Sequence, residues 1–225
     1  MKKIMFRDDL GLTQAVLAGR KTMTRRIEDS LTTLVHNYFE YYRKPYEVTS
    51  QNWDDKKRMV CMWNPKSCSF AKPRYSVGEI VAIGQSYKSI YDEMMTGDYG
   101  DSMYDGFRNL YLVDHKGWEN KMYVSPDVMP HQILITDVRA EQLQSISDLE
   151  CMMEGIYKDE NSRFIGTPFR VRFDYTFEGA VEKDGERQHW FTPRDAFSVL
   201  IDKVGKKGTW KRNPWVFAYT FERIR

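Results

Sequence analysis

The stretch Gly19-Arg20-Lys21-Thr22-Met23-Thr24-Arg25-Arg26 puts four cations and two hydroxyls within eight residues. It follows the end of a predicted helix, where a sharp turn lets such side chains converge on one pocket. Arginine offers a planar fork for phosphate or carbonyl oxygens, and lysine a movable point charge. In a partly dry pocket Arg20, Arg25 and Arg26 repel the charge on Lys21 and lower its proton affinity, which a lysine general base requires. A neutral Lys21 then takes the proton of a nearby hydroxyl such as Thr24, the logic of serine–lysine and threonine nucleophiles. In a regular strand Lys21 and Thr24 face opposite sides, so this chemistry needs a bulge or turn between them. A solvated surface strand is the alternative that the local sequence leaves open.

Glu154 is the second candidate. It ends a short predicted helix just before Gly155, where the negative end of the helix dipole disfavours a carboxylate and suits a proton shuttle. An exposed glutamate at small cost is the plainer reading. A third segment, Gly205 to Trp215, interleaves Lys206, Lys207, Lys211 and Arg212 with Trp210 and Trp215. Lys207, Lys211 and Arg212 suit phosphate contacts while Trp210 stacks on a base, whereas Trp215 reads as a core anchor of the last strand. His36, His115, His131 and His189 are scattered singly, with no metal-ligand spacing, phosphate loop or nucleophile elbow, so neither a metal nor another cofactor is expected.

The elements that must position these groups follow from periodicity. Lys3 to Phe6 reads as a short strand, and Asp8 or Asp9 caps a helix over Leu10 to Ala18 that Gly19 ends in a left-handed turn. Arg20 to Ile27 leaves extended. Glu79 to Gly84 and Gln132 to Val138 read as strands, the first led in by Ser76 and Gly78. Ser147 and Glu150 form a capping box on a two-turn helix stopped by Gly155. Val171 to Phe177 is a further strand. Thr192 caps a helix with Pro193 at its first position, burying Ala196, Phe197, Leu200, Ile201 and Val204 before Gly205. Trp215 to Phe221 is the last strand. Between them lie insertions at about 28–73, rich in aromatics such as Tyr38, Tyr42 and Trp53, at about 91–130, with a hairpin, and at about 157–190. Strands separated by short capped helices point to an α+β fold, a small barrel or curled sheet with helices at its ends.

The chain has 225 residues, a globular composition that is 41% hydrophobic and 29% charged, and a formal net charge of +2. One domain with elaborations is the expected organisation. Any polyanion site must come from local clustering of basic residues. Cys61, Cys68 and Cys151 fit no common zinc or redox spacing, which suggests a reducing cytoplasm. No secretory signal or membrane-spanning run is read from the sequence.

Four segments in order carry a family resemblance: Leu17-Ala18-Gly19 to Arg26; Tyr75-Ser76-Val77-Gly78-Glu79-Ile80 entering a strand; Thr136-Asp137-Val138 followed by Ile146-Ser147 and Glu154-Gly155-Ile156; and Gly208-Thr209-Trp210 to Asn213-Pro214-Trp215-Val216. Together they resemble the ASCH superfamily, a PUA-like small β-barrel class with short flanking helices, related to RNA-binding PUA domains. The long insertions resemble the longer ASCH forms of phages and gut bacteria. In small bacterial members that hydrolyse N4-acetylcytidine, the functional lysine, threonine and glutamate fall on Lys21, Thr24 and Glu154. The resemblance implies Lys21 as base, Thr24 as nucleophile or water-positioning hydroxyl, Glu154 as proton donor to the leaving amine, and Arg26 as a ligand contact. Gly84-Gln85 stands where many longer relatives carry an Arg-Glu pair, so that polar pair is absent from the pocket, and Gln85 is counted among the expected ligand contacts. Arg20, Thr22 and Arg25 join Arg26 as expected ligand contacts. The function expected is binding of RNA or a modified nucleoside, with amidohydrolase action on an acylated cytidine-type amide. A non-catalytic RNA-binding module, a metal-independent ribonuclease, and a phage interaction protein docking through its aromatic insertion are the alternatives.

Overall fold

The computed structural model describes residues 1–28, 31–34, 62–64, 69–96, 112–160, 174–181 and 185–224. Most of the aromatic insertion, and with it His36, Cys61 and Cys68, lies outside the described residues. The architecture is mixed α+β. Its strands are β1 (Lys2–Ile4), β2 (Met23–Ile27), β3 (Met62–Asn64), β4 (Ser69–Ala71), β5 (Ile80–Ile83), β6 (Gln132–Gln142), β7 (Tyr157–Lys158), β8 (Tyr175–Thr176) and β9 (Trp215–Arg223). Five of them form a mixed sheet in the order β1-β5-β6-β9-β2, while β3-β4 and β7-β8 are separate two-stranded pairs. Among the described residues β1 and β2 stand at the two ends of that order.

The chain divides into two compact units. The first comprises Met1–Phe6, Ile80–Leu134 and Arg223–Arg225, and the second Arg7–Glu79 and Ile135–Glu222. In the first, β1 runs parallel to β5, and β5 runs antiparallel to the start of β6 with Ile80 opposite Leu134. The helix Tyr87–Thr96 turns Ile90 and Met94 inward, where they join Ala82, Val124 and Met129. Lys3 ties the following loop down by donating to the carbonyls of Lys121, Met122 and Val124 at 2.9, 2.8 and 2.7 Å. No hairpin is found among the described residues of 91–130. Instead there are single 3₁₀ turns at Leu112–Asp114, Lys121–Tyr123 and Pro126–Val128, and 97–111 lies outside the described residues.

In the second unit β2 and β9 pair antiparallel, with Thr24 opposite Tyr219 and Arg26 opposite Phe217. The helix Pro193–Val204 is capped by the Thr192 hydroxyl and buries Ala196, Phe197, Leu200 and Ile201, as its pattern requires. Val204 is only half-buried. β9 departs from simple alternation: Val216 to Tyr219 are all buried, so both of its faces are covered there. β6 is longer than its apolar run, because Arg139, Glu141 and Gln142 continue it past Val138. Of the Val171–Phe177 strand only Tyr175–Thr176 is seen, since 171–173 lies outside the described residues.

The first helix corrects the expected cap. It runs Leu12–Leu17, and its N-cap is Gly11 at φ 66°, with no side-chain cap. Asp8 instead accepts from the Thr13 hydroxyl. Gly11 is required here on two counts, since a Cβ at that position would sit 2.3 Å from the Cβ of Glu178 and the backbone is left-handed. Gly11→Ala is therefore expected to destabilise the protein by about 1–3 kcal/mol, measured by urea unfolding; a loss within error of zero would show that this turn relaxes freely.

Candidate functional site

Lys21 lies before β2, not in it. The N–H groups of Arg20 and Lys21 both donate to the carbonyl of Ala15 at 2.9 Å, wrapping the chain back over the helix end, and Gly19 takes the left-handed φ of 72° expected of it. Thr22 is a backbone splint: its N–H donates to Met153 O and its carbonyl accepts from Phe221 N, each at 2.9 Å. The strand begins only at Met23. Lys21 therefore stands outside the regular alternation of β2, whereas Thr24 lies within it.

Lys21 is only 2% exposed. Its ammonium donates to Met23 O at 2.8 Å, to Glu154 O at 2.8 Å and to Glu154 Oε2 at 2.6 Å. Burial pushes the Lys21 amine below 10.5; Glu154 opposes that shift, and Arg26 and Arg25 add to it. Glu154 reaches this position as the C-cap of the helix Asp148–Met153, whose start is fixed by the Ser147–Glu150 capping box. Gly155 follows at φ +105°, and a Cβ there would meet the stem of Lys21 at 3.7 Å, so the glycine both turns the chain and forms part of the wall beside the amine.

Arg25 was expected to contact ligand, and the structure gives it internal partners. Its side chain is 0% exposed, with Nη2 2.6 Å from Glu141 and 3.1 Å from Glu150, and Nη1 3.3 Å from Glu154 Oε1. Glu154 is thus held by Lys21 on one oxygen and Arg25 on the other. Glu141 and Glu150 hold Arg25 in place, a contact that the sequence reading missed. Glu150 was legible as a cap, and Glu141 would have followed from continuing the β6 alternation past Val138. Arg139 completes the cluster through an ion pair with Glu150.

Thr24 is buried, and among the described residues its hydroxyl has no hydrogen-bond partner. Arg26, two residues on, shares its face of β2. Burial lowers the proton affinity of the half-buried Arg26, which interacts electrostatically with Tyr75, Glu154 and Tyr219 and is repelled by Arg74. Tyr75 and Tyr219 meet edge to face at 5.4 Å, and the Tyr219 hydroxyl accepts from Arg74 N at 2.9 Å. Arg26 and Arg25 both act on the charge of Lys21, and Arg25, on the other face of β2, is the one in contact with Glu154.

The remaining predicted residues are placed elsewhere. Arg20 is exposed, 3.2 Å from Glu178 and over the Tyr157 ring at 5.4 Å. Gln85 belongs to the first unit, where its amide donates to Glu93 at 3.0 Å. Trp210 is half-buried, edge-on to Phe197 at 6.0 Å and beneath the Arg194 guanidinium at 5.2 Å. Lys207 and Lys211 are exposed and, with Lys203, Asp202 and Trp210, line an open cavity of about 360 Å³. Asp202 is occupied by the N–H groups of Gly208 and Trp210, each at 2.8 Å. Arg212 is exposed and donates to the Thr209 hydroxyl at 3.0 Å. Among the described residues no group of three or more His, Cys, Asp or Glu is placed to hold a metal ion, and no helix is long and apolar enough to cross a membrane. Comparison with protein-family models, curated proteins and solved structures finds no match to this chain.

The Glu150 carboxyl gives the cluster a pH signature. Burial pushes it up, but the Ser147 N–H, Arg139 and Arg25 more than offset that and hold it at about 2 against an ordinary 4.5. A carboxyl depressed in the fold stabilises it fully above 4.5, and that contribution is lost as pH falls from 4.5 through about 2. Wild-type stability in urea should therefore fall more steeply across this window than that of Glu150→Gln. Parallel curves would show that the ion pairs contribute nothing.

Proposed function

We propose that the protein is an ASCH-type, PUA-like hydrolase of an acylated amine on a cytidine-type base, acting on a modified nucleoside or on RNA that carries it. One observation carries this reading: an amine, Lys21, and a carboxylate, Glu154, lie 2.6 Å apart and both are buried, with the buried Thr24 three residues further along the chain. The resemblance of Lys21, Thr24 and Glu154 to the functional trio of small ASCH amidohydrolases supports the substrate class.

In this reading the dry site allows a proton to move from the Lys21 ammonium to Glu154, which leaves a neutral amine and a carboxylic acid. The amine takes the Thr24 proton as the Thr24 oxygen attacks the amide carbonyl carbon. Collapse of the tetrahedral intermediate breaks the carbon–nitrogen bond, and Glu154 delivers its proton to the leaving amine nitrogen. Water then hydrolyses the threonine ester and restores the starting groups. Arg26 holds the ligand, while Arg25 keeps Glu154 aimed at Lys21.

A non-catalytic RNA-binding module is the second reading, favoured by the cavity of about 360 Å³ lined by Lys203, Lys207, Lys211 and Trp210. Incubation with N4-acetylcytidine should release cytidine, and Lys21→Ala or Glu154→Gln should slow turnover by about 10²–10⁴-fold. Absent turnover, or turnover undiminished by Lys21→Ala, overturns the enzymatic reading. Salt-dependent affinity for single-stranded RNA without product then selects the binding module.

A further inference from the structure

A second polar cluster, in the first unit, is incomplete in a way that specifies a ligand. Glu93 projects from the helix Tyr87–Thr96 and accepts two hydrogen bonds, from Gln85 Nε2 on Oε2 at 3.0 Å and from His131 Nε2 on Oε1. Gln85 follows β5, His131 precedes β6, and the Ile83 N–H to His131 carbonyl bond at 2.9 Å holds the two strand ends side by side. Gln85 is 2% exposed and His131 6%. Yet Gln85 Oε1 and His131 Nδ1 are both sealed from solvent and have no hydrogen-bond partner.

The chemistry of the missing partner follows from the atoms. Gln85 spends its NH2 on Glu93, so the group left over is a carbonyl oxygen, an acceptor. In the neutral tautomer that gives its Nε2 proton to the same carboxylate, His131 Nδ1 presents a lone pair, also an acceptor. Two buried acceptors without donors are costly, and native folds seldom keep them empty. Among the described residues Glu93 makes no ion pair with a lysine or arginine, and its one basic partner, His131, carries no charge in that tautomer. The occupant must offer at least two N–H donors and a positive charge. A divalent metal fits less well: the carboxylate is already committed to holding Gln85 and His131, which leaves two protein ligands where zinc sites use three or four.

We propose that Gln85, Glu93 and His131 form a binding site for a primary ammonium group, with Gln85 Oε1 and His131 Nδ1 accepting two of its N–H bonds and Glu93 supplying the countercharge. Glu93 acts as a positioning residue that fixes the His131 tautomer, the role a carboxylate plays behind a ligating histidine. The site is independent of the reading given to Lys21.

The test is a titration of the full-length ¹⁵N-labelled protein, with His131 followed in long-range ¹H–¹⁵N imidazole spectra. Methylammonium should shift the unprotonated Nδ1 of His131, whereas tetramethylammonium, with the same charge and no N–H, should not. Gln85→Leu and Glu93→Gln should each weaken methylammonium binding at least tenfold, with thermal melts confirming that the variants fold. The wild-type titration decides the matter if they do not. Four results overturn the proposal: an Nδ1 that carries a proton before ligand is added, equal responses to the two cations, no response to methylammonium (which leaves a bridging water sufficient), or displacement of methylammonium from His131 by Zn²⁺ binding at micromolar concentration.

Discussion

The second unit is organised around a desolvated lysine and glutamate that meet across 133 residues of chain at 2.6 Å. Removing two such charges from water costs several kcal/mol each, and only close geometry with every remaining donor and acceptor engaged makes the arrangement tolerable. The surrounding structure meets that demand. The chain wraps over the Ala15 carbonyl to aim Lys21, Met23 O takes one of its donors, and the helix Asp148–Met153 ends so that both the carbonyl and the carboxylate of Glu154 face the amine. A pair of this kind is weak evidence for stability, since apolar residues of the same volume commonly do as well or better.

Arg25 makes the arrangement specific. A lone Lys21–Glu154 contact leaves one carboxylate oxygen to find its own partner, and Arg25 takes it at 3.3 Å while anchoring itself on Glu141 and Glu150. One guanidinium thus ties β2, β6 and the short helix together. Its planar fork can serve several carboxylates at once in a way a lysine cannot. Charge that reads as a ligand-binding surface along the sequence is, for Arg25, spent inside the protein, while Arg20 spends its charge at the surface with Glu178 and Tyr157. Of the four cations in the motif, Arg26 is half-buried and has Tyr75 and Tyr219 as electrostatic neighbours.

Much of this was legible in the sequence where local chemistry decides the outcome. The capping box at Ser147 and Glu150, the Thr192–Pro193 helix start and the left-handed Gly19 are properties of a few adjacent residues, and the structure contains all three. The meeting of Lys21 with Glu154 could be framed only as a requirement, because it depends on strand order and no local pattern encodes that. The Asp8 cap failed because Thr13 offered that carboxylate a closer donor, and a glycine turn opened the helix instead. The length of β6 was underestimated because its last residues are charged. Their partners lie on β2 and the short helix, so an apolar periodicity cannot see them. Gln85, His131 and Glu93 are separated by enough chain that nothing in their spacing announced a cluster.

Glu150 closes the first turn of its helix through Ser147 and, with the same carboxylate, meets Arg25 and Arg139. A six-residue helix is too short to persist alone, and here the residue that starts it is also a rivet in the sheet. The same carboxylate therefore links the start of this helix to its docking on β2 and β6. The same economy narrows the paths open to descendants of the sequence. Exchanging this one acid unsettles a helix start, a buried guanidinium and a strand end together, so drift at the position has to arrive with compensation at the others or not at all.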